Sequence, residues 1–183
     1  MARTATLYKM QIELTDVSRS VYESLSLTVA RHPSEDEERL VTRVLAYALC
    51  YEDGLEFGRG LSDVDEPALW VRDAGGAVLH WIDVGQPNVK RLHRASKRAG
   101  RVTLVCHRGV QRLAREVQLG TVHRAEALQV ILLPEPLVAK IVAAIDRNSS
   151  WTFIRTDDEL QITLGDERIC GSIESTTLAQ LPA

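Results

Sequence analysis

Apolar and polar residues alternate along "TLYKMQIELT" and, more cleanly, along "VYESLSLTVARH", where Tyr22, Ser24, Ser26 and Thr28 oppose Leu25, Leu27 and Val29. A period of two predicts half-buried strands, and the intervening "DVSR" suits a hairpin turn. The period then changes. Leu40, Val41, Val44, Leu45, Ala48 and Leu49 recur at helical spacing and predict a long helix within "HPSEDEERLVTRVLAYALCYEDG". Ser34 followed by Glu37 has the capping-box pattern, acids in the first turn suit the positive end of the helix dipole, and Gly54 predicts the stop.

Further along, "LEFGRGLSDVDEP" reads as a short strand and a loop, and "ALWVRDAGGAVLHWIDVG" as a hairpin turned at Gly75 and Gly76. "PNVKRLHRASKRAG" predicts a helix stopped by Gly100. "RVTLVCH" alternates little, as a strand buried on both faces does. "VQRLAREVQLG" is a short helix, "ALQVILL" a buried strand, "PEPLVAKIVAAID" a helix and "WTFIRTDDELQITLGDERI" a closing hairpin. A strand–helix–strand order predicts parallel pairing between the strand ending at Asp83 and "RVTLVCH". The expected fold class is α/β: one domain over residues 1–183, with a mixed β-sheet flanked by helices.

Composition fits that picture. The chain has 183 residues, 45% hydrophobic and 26% charged, which suits a soluble domain with its own core. No apolar run approaches the ~20 residues of a membrane helix, and "MARTATLYKMQIELT" has no apolar secretory core. Cys50, Cys106 and Cys170 are too scattered for a disulfide framework or a zinc site, which favours a reducing compartment. A cytoplasmic location without membrane contact is expected.

Charge changes the picture more. The net charge of −3 conceals a basic block: residues 84–115 carry 9 bases and no acid, between a segment with 8 bases and 15 acids and one with 5 bases and 10 acids. Such a block predicts an anion-binding face; the plainer reading is a solvated helix whose charges meet acids elsewhere. Along the predicted helix, Lys90, Arg94, Lys97, Arg98 and Arg101 fall opposite an apolar stripe of Val89, Leu92 and Ala99.

Candidate chemistry lies beside it. Asp65 and Glu66 precede the first strand of the central hairpin and Asp83 ends the second, so the hairpin brings them toward one edge. Two or three carboxylates there suit Mg²⁺ or Mn²⁺, and Lys90 lies within one turn to orient a water or meet a phosphate. Glu38, with Glu35, borders the buried face of the first long helix, while Glu35 also has Arg39 one turn on for a surface pair. No "GxSxG", P-loop or dinucleotide motif occurs, and His32, His80, His93, His107 and His123 are scattered, each read as structural.

"ARHPSEDEER" with Arg43, Leu45 and Ala46, then "GLSDVDEPALW", then "WIDVGQP", resemble the YaeQ family of small bacterial proteins. The resemblance runs from "TLYK" through the basic helix and, in general pattern, to the end. YaeQ proteins resemble a variant of the PD-(D/E)xK nuclease fold, which implies a mixed sheet with flanking helices, though the family brings no established reaction. By that resemblance Asp65 and Glu66 stand for the first nuclease acid, Asp83 for the second and Glu38 for the helix acid. Gly85 stands where the motif has lysine, so Lys90 or Arg91 would have to supply that charge.

Three expectations follow. The first is a metal-dependent phosphodiesterase acting on DNA or RNA. Asp65, Glu66 and Asp83 would hold Mg or Mn, Asp83, Lys90 and Glu38 would serve catalysis, and Lys90, Arg91, Arg94, Lys97 and Arg98 would contact phosphates. The second is a module that kept the fold, lost the chemistry and binds nucleic acid or a protein partner, with a role in transcription. The third is an assembly role in which the basic block meets an acidic partner.

Overall fold

The computed structural model describes residues 5–59 and 65–182. Strands β1 (Thr6–Asp16) and β2 (Val21–Arg31) form the expected hairpin, in register from Thr6↔Arg31 to Asp16↔Val21. Helix α1 spans Glu37–Leu49. Its cap is Asp36, not Ser34: the Asp36 side chain accepts from Arg39 N at 2.7 Å. The turn closed by Glu35 N donating to His32 O at 2.8 Å holds Ser34 outside the helix. Gly54 is likewise not the stop. The helix ends at Leu49, and Gly54, at φ +79°, turns the loop that follows.

The central hairpin comprises β4 (Leu69–Arg72) and β5 (Val78–Val84), with β3 (Glu56–Phe57) outside β4. The loop expected before Asp65 falls partly on residues 60–64, outside the described residues. Helix α2 (Val89–Arg98) is capped by Asn88 and passes directly into β6 (Ala99–Cys106). Gly100, expected as a helix stop, lies inside β6; a Cβ there would come within 3.0 Å of Leu79 O on the neighbouring strand. Helix α3 (Val110–Leu119), β7 (Gln129–Leu132) and α4 (Glu135–Ala144) follow. Strands β8 (Asn148–Thr156), β9 (Glu159–Leu164) and β10 (Glu167–Ser172) make a meander, and β11 (Glu174–Thr177) comes last.

The chain builds two mixed sheets rather than one. The first has the order β10-β9-β8-β1-β2, with β1 parallel to β8. The second has the order β11-β7-β6-β5-β4-β3, with β5, β6 and β7 parallel as the crossovers require. Helices α1 and α4 pack between the sheets in one core with Met10, Ile12, Trp151, Phe153, Ile82 and Val105. Helices α2 and α3 cover the other face of the second sheet, where Trp81, Leu92, Leu104, Leu113 and Val130 form a separate core. No helix among the described residues is long and apolar enough to cross a membrane.

The inner face of the second sheet is not uniformly apolar. Buried His80 places Nδ1 2.5 Å from Glu52 Oε1 and Nε2 2.8 Å from Thr103 Oγ1. Burial, with Arg101 nearby, holds its pKa below the ordinary 6.5 against the pull of Glu52. The sign follows: below pH 6.5 the unfolded chain binds the proton more readily than the folded one, so stability is lost as pH falls through that region. In urea titrations between pH 7.5 and 5, wild type is expected to lose stability more steeply than His80→Gln. Parallel pH profiles would show that His80 does not titrate differently on unfolding.

Candidate anion-binding rim at the carboxyl ends of the parallel strands

On β5, Ile82 and Val84 face α1 and the inner core, whereas Trp81 faces α2. Strand alternation puts Asp83 on the α2 side with Trp81. Asp83 is buried, and Arg91 from the first turn of α2 closes on it bidentately, Nε to Oδ2 at 2.8 Å and NH2 to Oδ1 at 2.7 Å. The same NH2 reaches Glu66 O at 2.7 Å, and the guanidinium lies 5.6 Å from the Trp81 ring centroid. Burial alone would lower the Arg91 pKa, but the Asp83 carboxylate outweighs it and the pKa is raised. One turn on, Arg94 pairs with Asp65 at 2.8 Å, both exposed. Arg59 pairs with Glu66 at 3.3 Å and donates its backbone N–H to Glu66 Oε2 at 2.9 Å.

Helix α2 therefore gathers the Asp65–Glu66 loop and the end of β5 through two arginines spaced by three. Arg91 joins the Asp83 carboxylate to the Glu66 backbone carbonyl, so of the two bases expected to supply the charge it is Arg91 that stands at Asp83. Lys90, expected there, is exposed on the outer side of α2. Arg91, expected to face phosphates, is turned inward. Lys97 and Arg98 are exposed, and with Lys90 they make no ion pair among the described residues.

Glu38 does not join Asp83. It projects from α1, on the opposite face of the sheet, and binds the end of β6: Arg108 NH2 at 2.6 Å and His107 Nε2 at 3.3 Å. Glu35 is buried and pairs chiefly with Arg43, Nε to Oε1 and NH2 to Oε2 both at 2.7 Å; Arg39, its expected partner, is 3.6 Å away. Arg39 keeps that weaker ion pair through Nε and donates NH1 to Val84 O at 2.9 Å. Gly85 follows at φ +80°, a conformation other residues rarely adopt, and a Cβ there would lie 3.5 Å from Arg39 NH1. A lysine at position 85 would thus be strained in backbone, beside a guanidinium already in place.

This arrangement does not fit a divalent ion. Both Asp83 oxygens are committed to Arg91, Asp65 and Glu66 each face their own arginine, and no three His, Cys, Asp or Glu side chains gather as a ligand set among the described residues. What the rim offers is guanidinium nitrogens and ammonium groups, which suit oxyanions. Arg39 and Arg43 stand one turn apart on α1 on the side of Glu35, a spacing visible in the sequence, whereas no sequence pattern places Arg108 beside Glu38.

A parallel crossover whose leading strand ends in a clamped carboxylate, in a sheet joined through two helices to a second mixed sheet, defines a mixed α/β protein with an ion-paired rim at its strand ends. The chain belongs to the YaeQ family. The family model described as YaeQ protein matches residues 1–172. The chain is 35% identical to YaeQ of Escherichia coli (strain K12) over 170 residues, 92% of each chain, and 38% identical to YaeQ of Salmonella typhi over 107 residues, 58% of this chain and 59% of that one. The crystal structure of YaeQ from Xanthomonas axonopodis pv. citri superposes with a TM-score of 0.87 at 35% identity, covering 95% of this chain and 98% of that one. YaeQ from Pseudomonas syringae gives 0.85 at 36% identity, covering 95% and 96%.

Proposed function

We propose that this chain is a binding module for nucleic acid that resembles metal-dependent nucleases in fold and has exchanged their metal site for ion pairs. The clamp of Arg91 on Asp83 carries this reading. It spends the acid expected to hold metal on structure, and it fixes α2 against the sheet so that the outer side of the helix is presented rigidly. On that side Lys90, Arg94 and Lys97 lie within one strip at helical spacing, with Arg98 beside it. The Arg94–Asp65 pair is exposed, and such pairs contribute little, so Arg94 can exchange Asp65 for a phosphate at small cost. Binding of this kind reads the backbone charge and follows salt.

The test is fluorescence anisotropy with labelled duplex DNA, single-stranded DNA and RNA across a salt series. Wild type is expected to bind at least one of them with a linear log–log salt dependence. Lys90→Ala/Lys97→Ala/Arg98→Ala is expected to reduce the slope by about three. No salt-dependent binding to any of the three would defeat the reading and leave a protein partner for the basic strip. Cleavage with Mg²⁺ or Mn²⁺ that disappears in Asp83→Ala would defeat it in favour of a phosphodiesterase, with the Arg91 clamp opening to admit the ion.

A further inference from the structure

The second sheet changes character along its inner face. On β5 the residues facing α1 run Val84, Ile82, His80; on β6, Val105, Thr103, Arg101; on β7, Ile131, Gln129. Pairing sets His80 beside Arg101, Thr103 beside Gln129, and Gln129 beside Thr177 of β11. Four neighbouring strands turn polar together, at the end of the sheet remote from Asp83. The other face stays apolar there, with Trp81, Val102, Leu104 and Val130. His80 and Thr103 are buried and hydrogen-bonded to each other at 2.8 Å, Thr177 is half-buried, and Arg101 and Gln129 are exposed, so the patch opens from the core toward solvent.

Above the polar patch α1 has ended, and a cavity of about 660 Å³ lies between the two sheets. Its roof carries Arg19, from the β1–β2 turn, and Arg155 of β8. Fully buried Asp16 holds both in place, with Oδ2 2.7 Å from Arg19 Nε and 3.5 Å from Arg155 NH1. Arg19 spends its other nitrogens on Tyr51 O and Ala48 O, each at 3.0 Å. Arg155 spends Nε on Asp157 O at 2.8 Å, and Arg101 places NH2 2.5 Å from Glu52. Among the described residues, Arg155 NH2 and Arg101 Nε and NH1 have no partner. Three arginines line the cavity against the single carboxylate of Glu52.

We propose that this cavity binds a small organic anion, its carboxylate or phosphate group taken by Arg101 and Arg155 and its neutral polar part by Gln129 and Thr177. The volume falls in the range of small-molecule sites, on the order of 300–1,000 Å³. The Arg155 guanidinium, positioned by buried Asp16, loses little freedom on closing over an oxyanion, and Arg101 is oriented beside it by its pair with Glu52. The site is separate from the α2 rim, so the two can be tested apart.

The experiment is calorimetric titration of the full chain with citrate, glucose 6-phosphate and, as neutral control, glucose, followed by amide chemical-shift mapping. Saturable binding of citrate or glucose 6-phosphate is expected, absent with glucose, with shifts at Arg101 and Ser175–Thr177. Citrate alone would mark a carboxylate ligand and glucose 6-phosphate alone a phosphate. Arg101→Gln, half-exposed and safe for folding, is expected to weaken binding tenfold or more, and Arg94→Gln to leave it unchanged. The proposal is overturned if neither anion saturates, if Arg101→Gln and Arg155→Gln both bind as wild type does, or if Arg94→Gln abolishes binding instead.

Discussion

Replacing Arg91 with alanine is expected to destabilise the fold by about 3 kcal/mol, the low end of the cost of stranding one partner of a buried ion pair. Asp83 is 3% exposed, and without Arg91 both of its carboxylate oxygens lose their guanidinium partner. The reverse deletion should cost less. Arg91 keeps a side chain 21% exposed, a bond to Glu66 O and the Trp81 ring, so in Asp83→Ala the guanidinium can turn toward water. The double variant should recover part of the loss, because neither charge is left stranded. Urea unfolding of the four proteins measures this directly. Equal losses in both single variants with full additivity in the double would show that the pair does not act as a unit.

That clamp also shows how far the sequence is legible. The strand ending at Asp83, the helix after it and the parallel strand beyond could be read from periodicity, because a period change between Val84 and Val89 leaves few alternatives. Phase within α2 was legible too. Arg91 directly precedes buried Leu92 and lies one turn before buried Ala95, at the margin of the apolar stripe, whereas Lys90 lies farther round toward solvent. The resemblance leaves Lys90 and Arg91 both open for the missing lysine's charge, and helix phase is what separates them.

Long-range pairing is a different matter. Lys9 pairs with Asn148 in a parallel register, and nothing in the alternation of β1 specifies that partner over a strand of the central sheet. Hence two sheets where one was expected. The cavity was hidden for a related reason. His80 keeps the alternation of β5, in step with Ile82 and Val84, so a polar side chain was due on an apolar face. Its meaning appears only once Arg101, Gln129 and Thr177 arrive beside it from three other strands.

The remaining expectation concerns the other side of the rim. Glu35→Ala should destabilise the chain by about 3–5 kcal/mol. Glu35 and Arg43 are each 3% exposed at the side chain, joined by two bonds of 2.7 Å. Arg43 also donates to Ala30 O at 2.9 Å, so the pair ties the end of β2 to α1. A second cost comes from Arg39, whose Nε is buried without a hydrogen bond and whose pKa is lowered first by burial and further by Arg43. Glu35 is the anion between these two guanidinium groups, and without it they face each other one helical turn apart. Arg43→Leu added to Glu35→Ala should therefore restore stability rather than lower it further, since it removes the stranded cation and the repulsion together. Glu35→Gln, which keeps an acceptor but not the charge, should fall between. The same pair fixes the N-terminal turn of α1, from which Arg39 reaches Val84 O beside Gly85. Hydrogen exchange at Gly85, whose N–H donates to Val105 O at 2.9 Å, should accordingly accelerate in Glu35→Ala and recover in the double variant. If exchange at Gly85 stays at the wild-type rate while global stability falls, the ion pair holds α1 without holding the strand end.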